Sequence, residues 1–251
     1  MKKLTTLSVI IPVYNEGKTL KTVLENVYSY KLPDVKKELI IVESNSTDGS
    51  REMVLEFAKD KKDVVLILEE KPQGKGHAVR TGFAKATGDI ILIQDADLEY
   101  EVSDYPKLLK PILEGKTKFV LGSRHLDHSG SYNWDVRKFK EKRKAFFMNI
   151  AGLAFHAFFN IVYQTNLTDP TTMYKVFKRE CLNKLHLKGN YFDLDWELVA
   201  KLIRSGYKPI EVPAHYRPRG FAEGKKINIM RDGPRYVKAI IENRILPINK
   251  L

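Results

Sequence analysis

The sequence predicts an α/β fold in which a mostly parallel sheet is flanked by helices on both faces, and three observations carry that prediction. Short apolar runs alternate with segments of helical spacing through the first half of the chain. The runs are continuously apolar, as strands covered on both faces must be. Three of them lead directly into polar, carboxylate-bearing loops, and open parallel sheets bind their ligands beyond the carboxyl ends of the strands.

Taken in order, Leu7 to Val13 reads as the first strand, and Thr19 to Tyr30 as a helix through the spacing of Leu20, Val23, Leu24 and Val27. Glu38 to Val42 is a second strand, Ser50 to Lys59 a helix, Val64 to Leu68 a strand and His77 to Ala86 a helix. Asp89 to Gln94 is a strand that runs into acidic residues, followed by a helix over Tyr105 to Glu114 and a strand over Phe119 to Gly122. The second half is less regular: a polar loop from Leu126 to Asp135, a basic run from Lys138 to Lys144, and an apolar helix over Phe146 to Tyr163. After the Asp169-Pro170 break come a strand at Met173 to Phe177, a helix at Asp195 to Ser205 and a strand at Ile210 to Ala214. A basic, glycine-punctuated stretch from Arg217 to Lys226 then leads to a last helix from Gly233 to Ile245.

With 251 residues, 43% apolar and 29% charged, the chain is long enough to bury a core, and we read 1–251 as one domain. Its 15 Gly, 11 Pro and single Cys181 exclude collagen-like, disordered and disulfide-scaffold classes, and one cysteine builds neither an internal disulfide nor a cysteine-rich metal site. It also favours a reducing compartment, so a cytoplasmic location is expected. The 43 Lys plus Arg against 31 Asp plus Glu leave a charge of +12, which points to nucleic acid, an acidic membrane surface or phosphorylated substrates. The first residues read as a strand and not as a signal peptide. The 146–163 segment has the length of a short membrane span but contains Asn149, Gly152, His156 and Asn160, so no transmembrane helix is expected.

On a parallel sheet, Pro12-Val13-Tyr14-Asn15-Glu16, Glu43 to Ser50 and Asp95-Ala96-Asp97 converge on one edge. Asp95 and Asp97, with Glu99 close behind, offer the hard oxygen ligands that Mg²⁺ or Mn²⁺ prefer. A cation there would neutralise the charge that develops on a departing nucleoside diphosphate. Alone, an acidic turn of this kind is better explained as a solvated loop, and its place after a buried strand beside two other polar strand ends reverses that preference. Glu16 and Glu43 suit hydrogen bonds from a ribose or a base, although Glu16 also suits a helix N-terminus. Gln73-Gly74-Lys75-Gly76-His77 precedes a helix and could offer N–H groups and Lys75 to phosphate. The chain lacks both the G-x-G-x-x-G and the G-x-x-x-x-G-K-[ST] fingerprints, so dinucleotide-binding and P-loop readings are disfavoured.

In order along the chain stand P-V-Y-N-E (12–16), S-T-D-G-S (46–50), G-K-G-H-A-V-R-T-G (74–82), D-A-D (95–97), G-S-R (122–124) and E-G-K-K-I (223–227). Through these the chain resembles the inverting family 2 glycosyltransferases, and among them the polyprenyl (dolichol) phosphate mannosyl- and glucosyltransferases. The resemblance spans Leu7 to about Gly233. It implies a GT-A fold with a Rossmann-like sheet, a nucleotide-sugar half at about 1–122 and an acceptor half at about 123–251 with a basic C-terminal segment. It implies a hexose moved from a GDP-mannose or UDP-glucose type donor to a polyprenyl phosphate at the cytoplasmic membrane face, with Mg²⁺ or Mn²⁺ as cofactor. By the same resemblance, Pro12, Tyr14, Glu16, Val42 and Glu43 would hold the nucleoside. Asp95, Ala96 and Asp97 would meet ribose, diphosphate and metal, with Glu99 as a second metal ligand. Arg124, Arg219 and Lys225 would contact phosphates, and Val176 and Lys178 would line the acceptor side. Relatives usually carry two aspartates where this chain has Glu43-Ser44, which leaves the nucleotide base open.

Asp169, before Pro170-Thr171-Thr172, matches the acidic residue ahead of the acceptor-side strand and is the first candidate for a base or acceptor-orienting group; Asp195 and Glu197 follow, Asp195 being equally suited to cap a helix. A phosphate acceptor is already anionic and needs positioning more than deprotonation. Phe146 to Tyr163 is either a core helix or an interfacial one that lays Phe147, Ile150, Phe158 and Ile161 into a membrane surface beside the basic run; the neighbouring charge favours the peripheral membrane reading. His156 within it reads as a packed histidine. Two alternatives stay open: the same donor chemistry with a soluble glycan or other hydroxyl acceptor, and a non-catalytic basic module for nucleic acid or membrane. The acidic cluster at the convergent edge argues against nucleic acid as partner.

Overall fold

A computed structural model describes residues 4–127, 129–136, 138, 141–183, 185–220 and 229–248. Its elements are β1 (Thr5–Val13), α1 (Leu20–Ser29), β2 (Val35–Glu43), α2 (Ser50–Ala58), β3 (Val64–Leu68), α3 (Lys75–Lys85) and β4 (Ile90–Ile93). They continue with α4 (Tyr105–Leu113), β5 (Phe119–Ser123), α5 (Lys142–Tyr163), β6 (Lys175–Lys178), α6 (Asp193–Arg204), β7 (Ile210–Pro213) and α7 (Ile229–Ile245). The strands form one sheet in the order β3-β2-β1-β4-β6-β5-β7. β1, β2, β3 and β4 are parallel, as are β5 and β7, while β6 runs antiparallel to both β4 and β5.

The apolar runs are buried as continuous strands should be: Leu7, Val9, Ile10, Ile11, Leu39 to Val42 and Ile91 to Leu92 are fully inaccessible. Pro12 cannot donate to a ladder, and it falls beyond the last pair of β1 with β4, Ile10 with Ile93. β1 stays paired with β2 as far as Val13 with Glu43, at the convergent edge. The one reversed strand matters for the second half. Val176 pairs with Leu92 and Lys178 with Ile90, so β6 begins at the edge where β4 ends and runs away from it.

Helix α5 is 22 residues long, with a mean hydropathy of 1.6 over its most apolar window, so by length and composition alone it could cross a membrane. Its inner face carries Met148, Asn149, His156, Phe159 and Tyr163, all buried. Phe146, Phe147, Ile150 and Ile161 on it are 50%, 67%, 46% and 77% exposed. The helix therefore buries a mixed, mostly apolar face and leaves a second set of large apolar side chains exposed. It is tied to α7 by Tyr163 Oη donating to the Ile240 carbonyl (2.8 Å) and Arg244 Nε donating to the Val162 carbonyl (3.1 Å).

Candidate active site

The three strand-end loops meet, and side chains fasten them. The Asn15 amide donates to Ser46 Oγ (2.9 Å), the Thr47 amide to Asn15 Oδ1 (2.9 Å), and the Glu16 amide to Ser50 Oγ (3.0 Å). The Gly17 amide donates to Asp48 Oδ2 (2.8 Å), and Thr19 Oγ1 donates to the Ala96 carbonyl (2.9 Å). Asn15 and Asn45 take left-handed φ values of 50° and 55°, a conformation asparagine tolerates and most residues resist. The loop chemistry of the sequence thus reads as a set of clasps holding three strand ends at one edge.

Beyond that edge lies a cavity of about 560 Å³. Its carboxylate-bearing end is walled by Pro12, Tyr14, Glu16, Lys75, Asp95, Ala96, Asp97 and Glu99. Arg219 stands among the carboxylates: its guanidinium meets Glu16 at 2.8 Å, Asp97 at 2.7 Å and Glu99 at 3.8 Å, and its amide donates to Glu99 at 2.7 Å. Lys75 meets Asp95 at 2.5 Å. Burial, then the charges of Asp95 and Glu99, push the Asp97 carboxyl up to about 7 despite Arg219. Burial would lower Arg219, but Asp97, Glu16 and Glu99 outweigh it and raise the guanidinium further. So many carboxylates around one guanidinium form a dense hard-oxygen donor set, and that set suits Mg²⁺ or Mn²⁺.

Past Tyr100 the cavity continues through Arg124, Thr171 and Asp195 into an arm walled by Met148, Ala151, Gly152 and Phe155 of α5, Trp196 of α6, and Ile229 and Tyr236 of α7. The aromatic walls brace each other: Phe155 and Tyr236 lie 5.5 Å apart between ring centroids, and Trp196 and Tyr236 6.0 Å. Gly74 and Gly76 let the start of α3 lie directly against residues 189–191, since a Cβ on Gly76 would approach the Tyr191 carbonyl to 2.6 Å. Lys75 is fixed between them.

Several expected residues sit elsewhere. Glu43 is fully buried, accepts from Arg51 Nε (2.6 Å) and the Ser46 amide (2.6 Å), and is turned away from the cavity; Ser44 lines the wall in its place. Val42 is inside the sheet. Val176 is buried in β6, and Lys178 lies at the opposite edge near Asp89 and Arg179, because β6 is antiparallel. Lys225 lies outside the described residues, as does the 223–227 motif.

Asp169 is also fully buried, beneath the cavity wall, and receives the Arg124 amide (3.0 Å), Nε (2.7 Å) and Nη2 (2.7 Å). Burial would raise its carboxyl, but Arg124, helped by His156 and His125, holds it far below the usual carboxylate range, which makes it a weak proton acceptor. Of the second candidates, Asp195 reaches the cavity wall and is held by the fully buried Lys175 at 2.7 Å. Glu197 instead binds the Gly189 amide (2.6 Å) and Lys201 (2.6 Å) and is structural.

His125, His156 and Asp169 also gather ligand-type atoms within 4.8 Å of one another. The Arg124 guanidinium paired to Asp169 opposes a dication there, and the grouping fits an anion better. The arm itself was not foreseen, although Met148, Ala151, Gly152, Phe155 and His156 follow the i, i+3, i+4, i+7, i+8 spacing of a single helix face, with small residues among large ones.

Several known proteins are similar to this chain. The chain is 27% identical over 237 residues to a dolichyl-phosphate beta-glucosyltransferase of Trichomonas vaginalis, covering 89% of this chain and 68% of the relative. It is 28% identical to the dolichol-phosphate mannosyltransferase of Pyrococcus furiosus, covering 87% and 58%. It is 34% identical to an undecaprenyl-phosphate 4-deoxy-4-formamido-L-arabinose transferase of Proteus mirabilis, covering 52% and 40%. The chain thus spans only part of each relative. In fold it is similar to glucosyl-3-phosphoglycerate synthase from Mycobacterium tuberculosis, solved with Mn²⁺, UDP and glucosyl-3-phosphoglycerate, at a TM-score of 0.68 and 17% identity over 97% of this chain and 81% of that one. The mostly parallel sheet is thereby a GT-A fold. The Glycosyl transferase family 2 profile matches residues 8–185, and the chain belongs to that family.

Proposed function

We propose that the protein transfers a hexose, with inversion, from a nucleotide-diphosphate sugar to a polyprenyl phosphate at a membrane surface. One observation carries this: the carboxylate-rich donor end and the aromatic arm are parts of one cavity. A charged sugar donor fits the first part, and an amphiphile with an anionic head fits the second. The named activities of the relatives, two on dolichyl phosphate and one on undecaprenyl phosphate, point the same way.

In this reading, residues of about 1–122 hold the donor and those of about 123–251 the acceptor. Pro12, Tyr14 and Glu16 face the nucleoside. Asp97, with Glu99, would hold Mg²⁺ or Mn²⁺, which would supply neutralising charge at the leaving diphosphate. Lys75 and Arg219 flank the same position and can exchange their carboxylate partners for phosphate oxygens. A phosphate oxygen of the acceptor forms the new bond to the anomeric carbon while the bond to the diphosphate breaks, and no general base is required for that attack.

The outward apolar face of α5, next to exposed Lys142, Arg143 and Lys144, would rest on an anionic membrane, giving a peripheral protein on the cytoplasmic face. Asp195, on the cavity wall beside Lys175, favours a second reading in which a hydroxyl acceptor is deprotonated there. The test is a donor screen: GDP-mannose and UDP-glucose with Mg²⁺ or Mn²⁺, with and without a short-chain polyprenyl phosphate, measuring released nucleotide. Nucleotide release that rises with the lipid phosphate is the expected result. Release driven only by a soluble hydroxyl acceptor would replace this reading with the second one.

A further inference from the structure

We propose that the hairpin closed by the Leu126–Tyr132 bridge is a wedge that enters an anionic bilayer, and that the acceptor passes from the bilayer into the apolar arm beside it. Tyr132 and Trp134 of the hairpin act together with Phe146 and Phe147 at the start of α5. The uptake route rests on the polyprenyl-phosphate reading above.

The four rings are exposed yet fixed. Tyr132 is 52% exposed, Trp134 44%, Phe146 50% and Phe147 67%. Trp134 stands edge-on to Phe146 at 6.3 Å between centroids, and Phe146 to Phe147 at 5.9 Å. The hairpin is held by its own backbone: the Asp127 amide donates to the Ser131 carbonyl (3.0 Å) and the Asn133 amide to the His125 carbonyl (2.7 Å). Asn149 Nδ2 donates to Asp135 Oδ1 (2.7 Å) and ties the end of the hairpin to α5. Rings this exposed on a braced support belong to the folded surface, and their contact with water costs free energy that a bilayer would recover.

Composition and charge both select the partner. Tryptophan and tyrosine settle at the membrane–water interface, where the ring is apolar and the N–H or O–H stays wet. Lys138, Lys142, Arg143 and Lys144 stand exposed close to these rings in sequence and match anionic head groups. A second copy of the chain would be an isologous partner that brings the same cations face to face, so charge favours a lipid surface over self-association.

The wedge adjoins the cavity on both of its elements. On α5, Met148 follows Phe147 and turns the other way: it is buried, packs with Ala145 against Ile229, and lines the arm. On the hairpin, Tyr132 stacks on His125 (5.5 Å, 11° between planes), whose ring stands 5.4 Å from that of His156 on the cavity wall. The rings that enter the bilayer and the residues that line the cavity thus occupy neighbouring positions of one helix and one hairpin. An isoprenoid chain held at Phe147 lies within one helical turn of Met148 and the arm, so uptake there exposes little of it to water.

The chain has two tryptophans and Trp196 is 2% exposed, so a vesicle-dependent change in emission reports on Trp134. Vesicles of phosphatidylcholine with phosphatidylglycerol, carrying no polyprenyl phosphate, should shift the emission of the parent to the blue, and brominated acyl chains should quench it. Trp134→Phe should remove the shift while sedimentation with the same vesicles persists. In turnover, Trp134→Ser combined with Phe147→Ser should raise the KM for a long-chain polyprenyl phosphate embedded in those vesicles about tenfold or more, the scale of one or two aromatic side chains losing their burial. The KM for a dispersed short-chain polyprenyl phosphate should stay within about twofold of the parent, as for an ordinary surface substitution. A merely structural role would move both constants and the Tm together. A parent that does not bind the vesicles, or binds them with its emission unshifted and unquenched, overturns the wedge, and so does an equal rise in both KM values. A blue shift that appears on concentrating the protein without vesicles, together with a dimer in analytical ultracentrifugation, would replace the bilayer by a second copy. A parent indifferent to both polyprenyl phosphates overturns the function and the uptake route, and the quenching of Trp134 then decides insertion alone.

Discussion

At Arg219 a single guanidinium is shared by three carboxylates that the fold brings together from the loops after β1 and β4. Arg219→Ala would leave Glu16, Asp97 and Glu99 crowded, so the protein without ligand should lose about 2 kcal/mol, or roughly 4–8 °C in Tm, a figure reduced from that of a fully buried pair because the site is partly open. A divalent cation would then take over the neutralisation. Thermal melts with and without Mn²⁺ check this: the cation should raise the Tm of the variant more than that of the parent. An equal rise in both would show that Arg219 and the cation do not share these carboxylates. Asp169 permits a pH test. Its folded carboxyl lies far below its ordinary value of 3.8, so the stability it contributes is complete above that value and is lost as pH falls below it. Asp169→Asn should therefore be less stable at neutral pH and should lose less further stability between about pH 5 and pH 2, as read by denaturant melts across that range.

Secondary-structure elements were legible where their positions follow from local pattern. The strands β1, β2 and β4 each run straight into a motif, and each motif lies where a parallel sheet puts it. The roles of Val176 and Lys178 were not legible, because nothing local to residues 175–178 reveals that the strand enters the sheet antiparallel between β4 and β5. That direction is set by the long excursion through α5. Glu43 misled for a related reason. Its neighbour Arg51, in the first turn of α2, captures the carboxylate, and sequence proximity alone does not show which of two faces a strand-end side chain takes. Helix α5 could be read as core or membrane from its composition, and only its placement separates the faces. The exposed Phe147, Ile150 and Ile161 should therefore matter to vesicle binding and not to folding. Replacing all three with Ser should leave the Tm within a few degrees and cut sedimentation with anionic vesicles about tenfold or more. A variant that pellets with vesicles as the parent does would remove α5 from the membrane contact.

Over the whole molecule, the +12 charge is distributed unevenly: one end of the cavity is lined with carboxylates, while Lys142, Arg143 and Lys144 stand exposed at the start of α5. The carboxylate-lined end of the cavity and the exposed basic start of α5 are thus separate in space. The loops at 12–16, 44–50 and 95–99 are clasped to each other, whereas the arm is made by three helices packed through side chains. Amide exchange should resolve the two. Nucleotide with Mn²⁺ should slow exchange in those three loops and around Lys75, with little change in α5 and α7. Anionic vesicles without nucleotide should slow exchange in α5 and α7 and leave the loops as they were, and raising salt toward 1 M should weaken that protection as the Debye length shrinks to about 3 Å. The apolar contribution of Phe147, Ile150 and Ile161 should persist at high salt, because it does not depend on charge. Vesicle-dependent protection confined to the basic residues and abolished by salt would mean that only electrostatics brings the protein to the membrane. The arm between α5, α6 and α7 would then have to take its acceptor from solution.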